Sequence, residues 1–321
     1  MTDSLVSIIT PFYDSEKYFR ETLDSVLVQS YPYWEMICVD DCSQDNSAQI
    51  VEEYNRIDNR IKLVSRKDSV KGPSHCRNLG VVAAKGKYCM FLDSDDLLRP
   101  TCLEERVKAI ENTDYKFVVM PMASFTESVE KYSIISTLGA KHYDYYFASS
   151  VSAWPVTSTL IRRDYIEKIG AFDESLIRLE DVEFHLRAIL YSDGNYLVLR
   201  DRMPDCFYRI TSIQNRFIVE KFEMSQQALN DYIRKIIEFE EYLKNGKLFS
   251  RSILTILLNA MYVHSIIEMK RGKMHPVNTD KLIPFLCGYD KLVYNTVDMM
   301  PFTKIRLVLS AIIRKMILRT L

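Results

Sequence analysis

An apolar run, Phe91-Leu92, ends in Asp93-Ser94-Asp95-Asp96, three carboxylates within four residues. Like charges brought this close cost free energy unless a cation or hydrogen-bond donors offset them. A hard divalent ion would do so, held by one or two carboxylates and by substrate phosphates. The plainer account is a polar turn that caps the next helix. A second cluster pairs Ile8-Ile9-Thr10-Pro11-Phe12-Tyr13-Asp14 with Val39-Asp40-Asp41-Cys42-Ser43. There an aromatic ring could stack on a base and a carboxylate could accept its N–H. Equally, Tyr13 could pack on its own domain and the aspartates form an Asx-turn. In Gly72-Pro73-Ser74-His75-Cys76-Arg77-Asn78-Leu79-Gly80, a helix N-terminus and Arg77 could meet phosphate oxygens, or Arg77 could lie exposed on an ordinary helix. Leu179-Glu180-Asp181-Val182-Glu183 offers a general base for an alcohol, or simply acids favoured by a helix dipole.

The elements around these residues read as strand and helix in alternation. Leu5–Thr10, Trp34–Val39, Ile61–Ser65 and Lys87–Leu92 are buried-strand runs. Between them lie helices from about Glu16 to Gln29, capped by Asp14 or Ser15, then through Ile50, Val51 and Tyr54, and from Gly72-Pro73 to Lys85-Gly86. A fourth helix is expected over Pro100–Asn112, and later strands near Phe117–Met120, Ser158–Ile161 and Tyr196–Leu199. This alternation predicts an α/β domain with a mostly parallel sheet and helices on both faces. The polar clusters fall at the carboxyl ends of strands, where such sheets bind ligands. From about Glu220 the pattern turns helical, with Ile233, Ile236, Ile237, Phe239 and Ile253–Ile267 as apolar runs. The expected division is therefore a catalytic domain over 1–215 and a helical region over 216–321.

Composition narrows the class. An apolar fraction of 47 % and a charged fraction of 26 % suit a soluble globular protein. A net charge of −1 gives no global signal for a nucleic-acid binder. Seven cysteines lack metal-ligand spacing and sit partly in apolar runs, which fits a reducing, cytoplasmic setting. Polar Met1–Ser4 leads straight into a strand, so no signal peptide is expected. No unbroken apolar stretch reaches the roughly 18 residues of a membrane span.

Taken together, the motifs resemble the inverting glycosyltransferase family 2, of the glycosyltransferase-A fold, in members that build bacterial cell-surface polysaccharide. The resemblance rests on Ser7–Tyr13, Val39–Ser43, Arg77-Asn78-x-Gly80, Asp93–Asp96, Gly170-Ala171-Phe172-Asp173 and Glu180-Asp181, in the family's order. It implies that Pro11 and Tyr13 line a base site and Asp41 bonds the base. Arg77 would handle the nucleotide, Asp93 and Ser94 the ribose and sugar, and Asp95 an Mn²⁺ or Mg²⁺ ion. Asp181 would deprotonate the acceptor hydroxyl, and Gly170–Asp173 would shape the sugar and acceptor pocket. The donor would be a nucleotide diphosphate sugar, UDP-linked by preference, and the acceptor a glycan or lipid-linked hydroxyl. One departure stands out: Tyr208-Arg209 and Gln214-Asn215 occupy a region where the family often shows a clearer ligand or phosphate contact.

Rival classes fare worse. A nucleotidyltransferase or dinucleotide oxidoreductase would want a Gly-rich loop after the first strand, where Pro11-Phe12-Tyr13 stands. A catalytically silent sugar-nucleotide-binding scaffold is disfavoured by the intact Asp95 and Asp181. From Arg271 to Leu321, nine Lys/Arg against three Asp give +6, and Phe302–Leu321 holds five basic residues and no acid. With Ile305, Leu309, Ile312, Ile313, Met316 and Ile317 on one face, this tail suits peripheral contact with an anionic membrane. A helix docked on its own domain, or a homo-oligomer contact, is the alternative.

Overall fold

The computed structural model describes residues 3–210, 228, 231–239, 250–256 and 292. The chain divides into two compact units. The first comprises Met1–Gly139, Ala153–Ser175 and Arg187–Arg216, and the second Ala140–Ser152, Leu176–Leu186 and Phe217–Leu321.

The chain runs β1 (Val6–Phe12), α1 (Phe19–Leu27), β2 (Trp34–Asp40), α2 (Ser47–Ile57), β3 (Ile61–Ser65), α3 (Pro73–Ala83) and β4 (Tyr88–Phe91). It continues with β5 (Leu97–Leu98), α4 (Cys102–Ile110), β6 (Phe117–Val119), β7 (Met122–Phe125), β8 (Ser133–Ile134) and α5 (Tyr143–Ala148). The later elements are β9 (Thr159–Arg162), α6 (Arg163–Ile169), α7 (Glu180–Ser192), β10 (Leu197–Val198) and β11 (Cys206–Arg209). A seven-stranded sheet has the order β10-β6-β9-β4-β1-β2-β3. It is parallel except where β9 runs against β4 and β6. A four-stranded sheet, β5-β11-β7-β8, lies in the same unit.

Alternation along β1 explains why both faces are covered. Val6, Ile8 and Phe12 join one core with Phe19, Leu23 and Val26 of α1, Ile50 and Val51 of α2, and Leu103 and Val107 of α4. Ile9 points to the opposite face, and α3 packs there: a Cβ on Gly80 would lie 2.3 Å from Ile9 Cγ2. Only glycine permits this approach, which fixes where Arg77, one turn earlier, can reach. Both β1 and β2 are buried along their whole length, as fits central parallel strands.

Proline is unusual in such a strand because it cannot donate to the ladder. Pro11 shares the parity of Ile9, whose carbonyl accepts from Leu92 on the β4 side. Pairing of β1 with β4 ends at Ile9↔Phe91, so the missing N–H falls where the two strands have parted. The opening left beyond them is the crevice expected at the carboxyl ends of such a sheet.

Two expectations need correction. Helix α1 starts at Phe19 rather than Glu16, and neither Asp14 nor Ser15 caps it through a side chain. Both side chains are engaged elsewhere: the Asp14 carboxylate accepts from Gln44 N–H in the loop after β2, and Ser15 Oγ bonds Ser94 Oγ and donates to the Tyr13 carbonyl. A turn in which Ser15 C=O accepts from Tyr18 and Phe19 N–H precedes the helix instead. Helix α4 is also shorter than expected, Cys102–Ile110.

In the second unit, residues 231–238 and 250–256 are helical, with Ile233, Ile236 and Ile253 buried. Tyr232 is buried there and donates to Phe147 C=O at 2.5 Å. Among the described residues no helix is long and apolar enough to cross a membrane. The boundary near 215, Gln214-Asn215 and the basic tail Phe302–Leu321 lie outside the described residues.

Candidate active site

A cavity of about 350 Å³ opens at the carboxyl ends of β1, β2 and β4 in the first unit, lined among others by Pro11, Tyr13, Asp41, Arg77, Asp93, Ser94 and Asp95. The structure thus gathers seven of the expected site residues in one place. At one end Tyr13 presents an exposed ring, 56 % accessible. Beside it the tandem aspartates divide their work. Asp40 Oδ1 accepts from Ser43 N–H and Ser43 Oγ at 2.8 and 2.7 Å, so it builds the turn. Asp41 faces the cavity with both oxygens held: Oδ1 accepts from Arg66 Nε at 2.7 Å and Oδ2 from Gly72 N–H at 3.0 Å. Gly72 makes this bond at φ +116°, a backbone state that side chains disfavour. Arg66 is nearly inaccessible, with its guanidinium also bonded to the Asp68 carbonyl and touching Cys42 Sγ at 3.2 Å.

At the other end stands the acidic turn. Ser94 Oγ bonds Ser15 Oγ at 2.8 Å, and Ser94 C=O accepts from Thr22 Oγ1 at 2.9 Å. Asp93 accepts from Arg77 Nη2 at 2.8 Å. Arg77 is therefore no exposed helix residue; it is 5 % accessible, and its guanidinium lies 5.2 Å from the Phe172 ring. The Gly170–Asp173 segment supports it: Asn78 exchanges two hydrogen bonds with the Phe172 backbone, at 2.9 and 2.8 Å. Phe172 also meets Phe91 edge-on at 4.9 Å.

Burial, and then the neighbouring Asp93 charge, pushes the Asp95 carboxyl above the ordinary carboxylate range. Asp96 is 1 % accessible and moves further the same way, through burial first and the Asp93 and Asp95 charges second. A divalent cation would offset this cost. Among the described residues no group of three or more His, Cys, Asp or Glu surrounds a common point. Asp93 and Asp95 fit an ion that takes one or two carboxylates and fills its remaining positions with phosphate oxygens and water.

Asp181 belongs to the second unit, in the first turn of α7. The turn starts sharply, with Leu179 at φ +63°. Asp181 Oδ1 accepts from Val182 N–H at 2.9 Å, and the residue is half-buried, whereas Glu183 is 3 % accessible. A general base must be reachable by an acceptor, which favours Asp181 over Glu183.

Some site residues escaped the sequence reading. Ser15, expected only as a helix cap, lines the cavity, and Arg66 holds Asp41 across 25 residues; Tyr208, Pro73 and Cys76, from stretches already singled out, line it too. A basic residue just past a strand end was the available signal for Arg66. Nothing local marks its partner.

Comparison with known proteins identifies the family. Residues 7–170 match the model of glycosyl transferase family 2, which is half of the chain. The chain belongs to glycosyltransferase family 2. TuaG of Bacillus subtilis (strain 168), a glycosyltransferase assigned to teichuronic acid biosynthesis, is 44 % identical over 104 residues, 32 % of this chain and 41 % of TuaG. The poly(ribitol-phosphate) beta-N-acetylglucosaminyltransferase TarS of Staphylococcus aureus is 32 % identical over 143 residues, 41 % of this chain and 25 % of TarS. The match thus spans less than two thirds of the length of either relative. The crystal structure of TarS 1–349 with UDP-GlcNAc superposes with a TM-score of 0.62 at 17 % identity, covering 95 % of this chain and 88 % of that one. A mannosyltransferase from Pyrobaculum calidifontis in complex with GDP-Man and Mn²⁺ gives 0.57 at 17 %, covering 96 % and 86 %. The fold is the glycosyltransferase-A fold, as the order of motifs implies.

Proposed function

We propose that this protein is an inverting glycosyltransferase that moves a sugar from a UDP-sugar to a hydroxyl of a glycan or lipid-linked acceptor in cell-surface polysaccharide synthesis. The observation that carries the reading is the cavity itself. It sets a stackable ring and a fixed acceptor carboxylate at one end, and a guanidinium with paired carboxylates at the other. Asp41, held by Arg66 and Gly72, is presented as a hydrogen-bond acceptor. That suits the imide N–H of uracil and not the bare ring nitrogen that cytosine would offer. Tyr13 and Pro11 would flank the base, and Ser94 with Asp93 would meet the ribose and sugar. Arg77 would balance the charge of the diphosphate.

A divalent ion, Mn²⁺ or Mg²⁺, bound by Asp95 would supply electrostatic stabilisation of the departing nucleoside diphosphate. Asp181 takes the proton from the acceptor hydroxyl as the oxygen attacks the anomeric carbon. The carbon–oxygen bond to the diphosphate breaks on the opposite face, so one displacement inverts the configuration and no enzyme nucleophile is needed. The UDP-GlcNAc complex of TarS and the Mn²⁺ complex of the archaeal mannosyltransferase support the donor class and the metal. The name of TuaG supports the setting.

The test is a panel of UDP-, GDP-, CDP- and dTDP-sugars scored by thermal shift, with Mn²⁺ and with chelator. Stabilisation by a UDP-sugar, larger with Mn²⁺, is expected. Equal response to CDP-sugars, or full turnover in chelator, would sink the proposal.

A further inference from the structure

Arg209 ends β11, next to the cavity-lining Tyr208. Neighbouring strand residues point to opposite faces, and Arg209 turns behind the cavity wall. Its Nε donates to the Asp95 carbonyl at 3.0 Å, and its backbone N–H donates to Asp96 Oδ1 at 3.1 Å. Its Nη2 donates to Glu21 Oε2 of α1 at 2.8 Å. The guanidinium lies between the rings of Tyr18 and Phe125, 4.5 and 4.6 Å from their centroids. The side chain is 6 % accessible. Ser94 is meanwhile held by Ser15 and Thr22 from the α1 side. The Asp93–Asp96 turn is thus fastened at successive residues, and its second half hangs on one residue 114 positions away.

We propose that Arg209 is a positioning residue for the diphosphate–cation end of the cavity, aiming Asp95 from behind the turn and making no contact with the donor. The proposal rests on the donor and metal reading given above. The physical reason lies in the turn's own repulsion. Three carboxylates gathered in four residues push apart, and a turn of this length has little covalent stiffness to resist. A guanidinium fixed on the Asp95 carbonyl counters that spreading and limits where the Asp95 side chain can point. Partners of this kind, one layer behind a ligating group, typically govern metal affinity by about 10- to 100-fold. An arginine that instead gripped phosphate directly would contribute to nucleotide binding whether or not metal is present.

That difference supplies the test. UDP binding to the full chain is measured by calorimetry in chelator and again in saturating Mn²⁺, for wild type, Arg209→Met and Arg209→Lys. Arg209→Met is expected to keep the metal-free affinity within about twofold and to lose about tenfold of the gain that Mn²⁺ confers. Arg209→Lys, which can still reach the Asp95 carbonyl but cannot also hold Glu21, should recover part of that gain. A metal-free affinity that falls as far as the metal-dependent one would overturn the proposal in favour of direct phosphate contact. An undiminished Mn²⁺ gain would overturn it outright. Should Arg209→Met fail to fold, Glu21→Leu decides: it removes the acceptor that ties Arg209 to α1, at an exposed position. A reduced Mn²⁺ gain with unchanged metal-free binding supports the proposal, and an unchanged gain refutes it. If wild type itself shows no Mn²⁺ gain, the underlying metal reading fails, a result distinct from failure in the variants alone.

Discussion

At the end of the cavity beside β2, Asp41 has a donor on each oxygen before any ligand arrives; at the end beside β4, Asp93, Asp95 and Asp96 stand together, with Arg77 bonded to Asp93 and Arg209 to Asp96 and the Asp95 carbonyl. The first end is a finished hydrogen-bonding surface, which on the proposed function would meet a base without rearrangement. The second holds charges whose mutual repulsion the fold sustains, and it gains most when positive charge enters. Binding at one end should therefore depend on preserved geometry, and at the other on an added ion.

Removing the added ion's anchor is the harshest way to break that contrast. Asp95→Ala should leave the fold intact and lower kcat by roughly 10³-fold or more, the scale of several kcal/mol of lost charge stabilisation. Turnover near wild type, or full activity in chelator, would show that the diphosphate end needs no ion. Next in size is a substitution in the first turn of α7. Asp181→Asn should reduce kcat by about 10²- to 10⁴-fold while UDP affinity stays near wild type. A collapse of donor affinity would instead make Asp181 a structural part of α7.

The base end can be broken by one substitution. Arg66→Met leaves Asp41 with the Gly72 N–H alone. UDP affinity should fall about tenfold, the worth of a charge-assisted hydrogen bond, and the preference for UDP over CDP should narrow. Competition binding with both nucleotides would read this, and an unchanged ratio would mean that Asp41 needs no lock.

The smallest effect concerns His75, whose ring bonds Glu174 and Asp68, each at 3.0 Å, behind the base end. Burial pulls its pKa down, but Glu174 and Asp68 more than offset this, and the net shift is upward from 6.5. A raised folded value stabilises fully below 6.5 and fades as pH rises through the folded value. His75→Gln should therefore lower Tm more at pH 5.5 than at pH 8.5, by a few degrees at most. Equal losses at both pH values would show that only packing was removed.

The α/β alternation was readable through β4 because each strand there is a continuous apolar run and each helix carries a buried stripe at helical spacing. The four-stranded sheet was not, since β5 and β8 are two residues long and carry no periodicity. The cavity residues announced themselves because their motifs are short and local. What holds them did not. Arg66 to Asp41 and Arg209 to Asp95 cross 25 and 114 residues, and a guanidinium's partner at such range is set by topology. Residue type alone left Asp40 and Asp41 alike; the family resemblance pointed to Asp41, and the geometry gives the turn to Asp40 and the cavity to Asp41. The cap expected of Asp14 or Ser15 was lost to competitors that a local pattern does not show: the loop after β2 for Asp14, and Ser94 of the acidic turn for Ser15.

Arg106, fully inaccessible in α4, donates to both oxygens of Asp205 at 2.7 and 2.6 Å and to the Thr157 carbonyl at 2.7 Å. A buried charge without its partner is strongly destabilising. On the ribosome, residues 1–110 emerge early, with much of the parallel sheet and its helices, yet Arg106 must keep water until residue 205 is made. Arg209 arrives four residues later, so the short segment 205–209 both completes the buried ion pair and fastens the acidic turn. A nascent chain halted before that point would already have Asp41 in its lock, while the second half of the acidic turn still lacked its fastening.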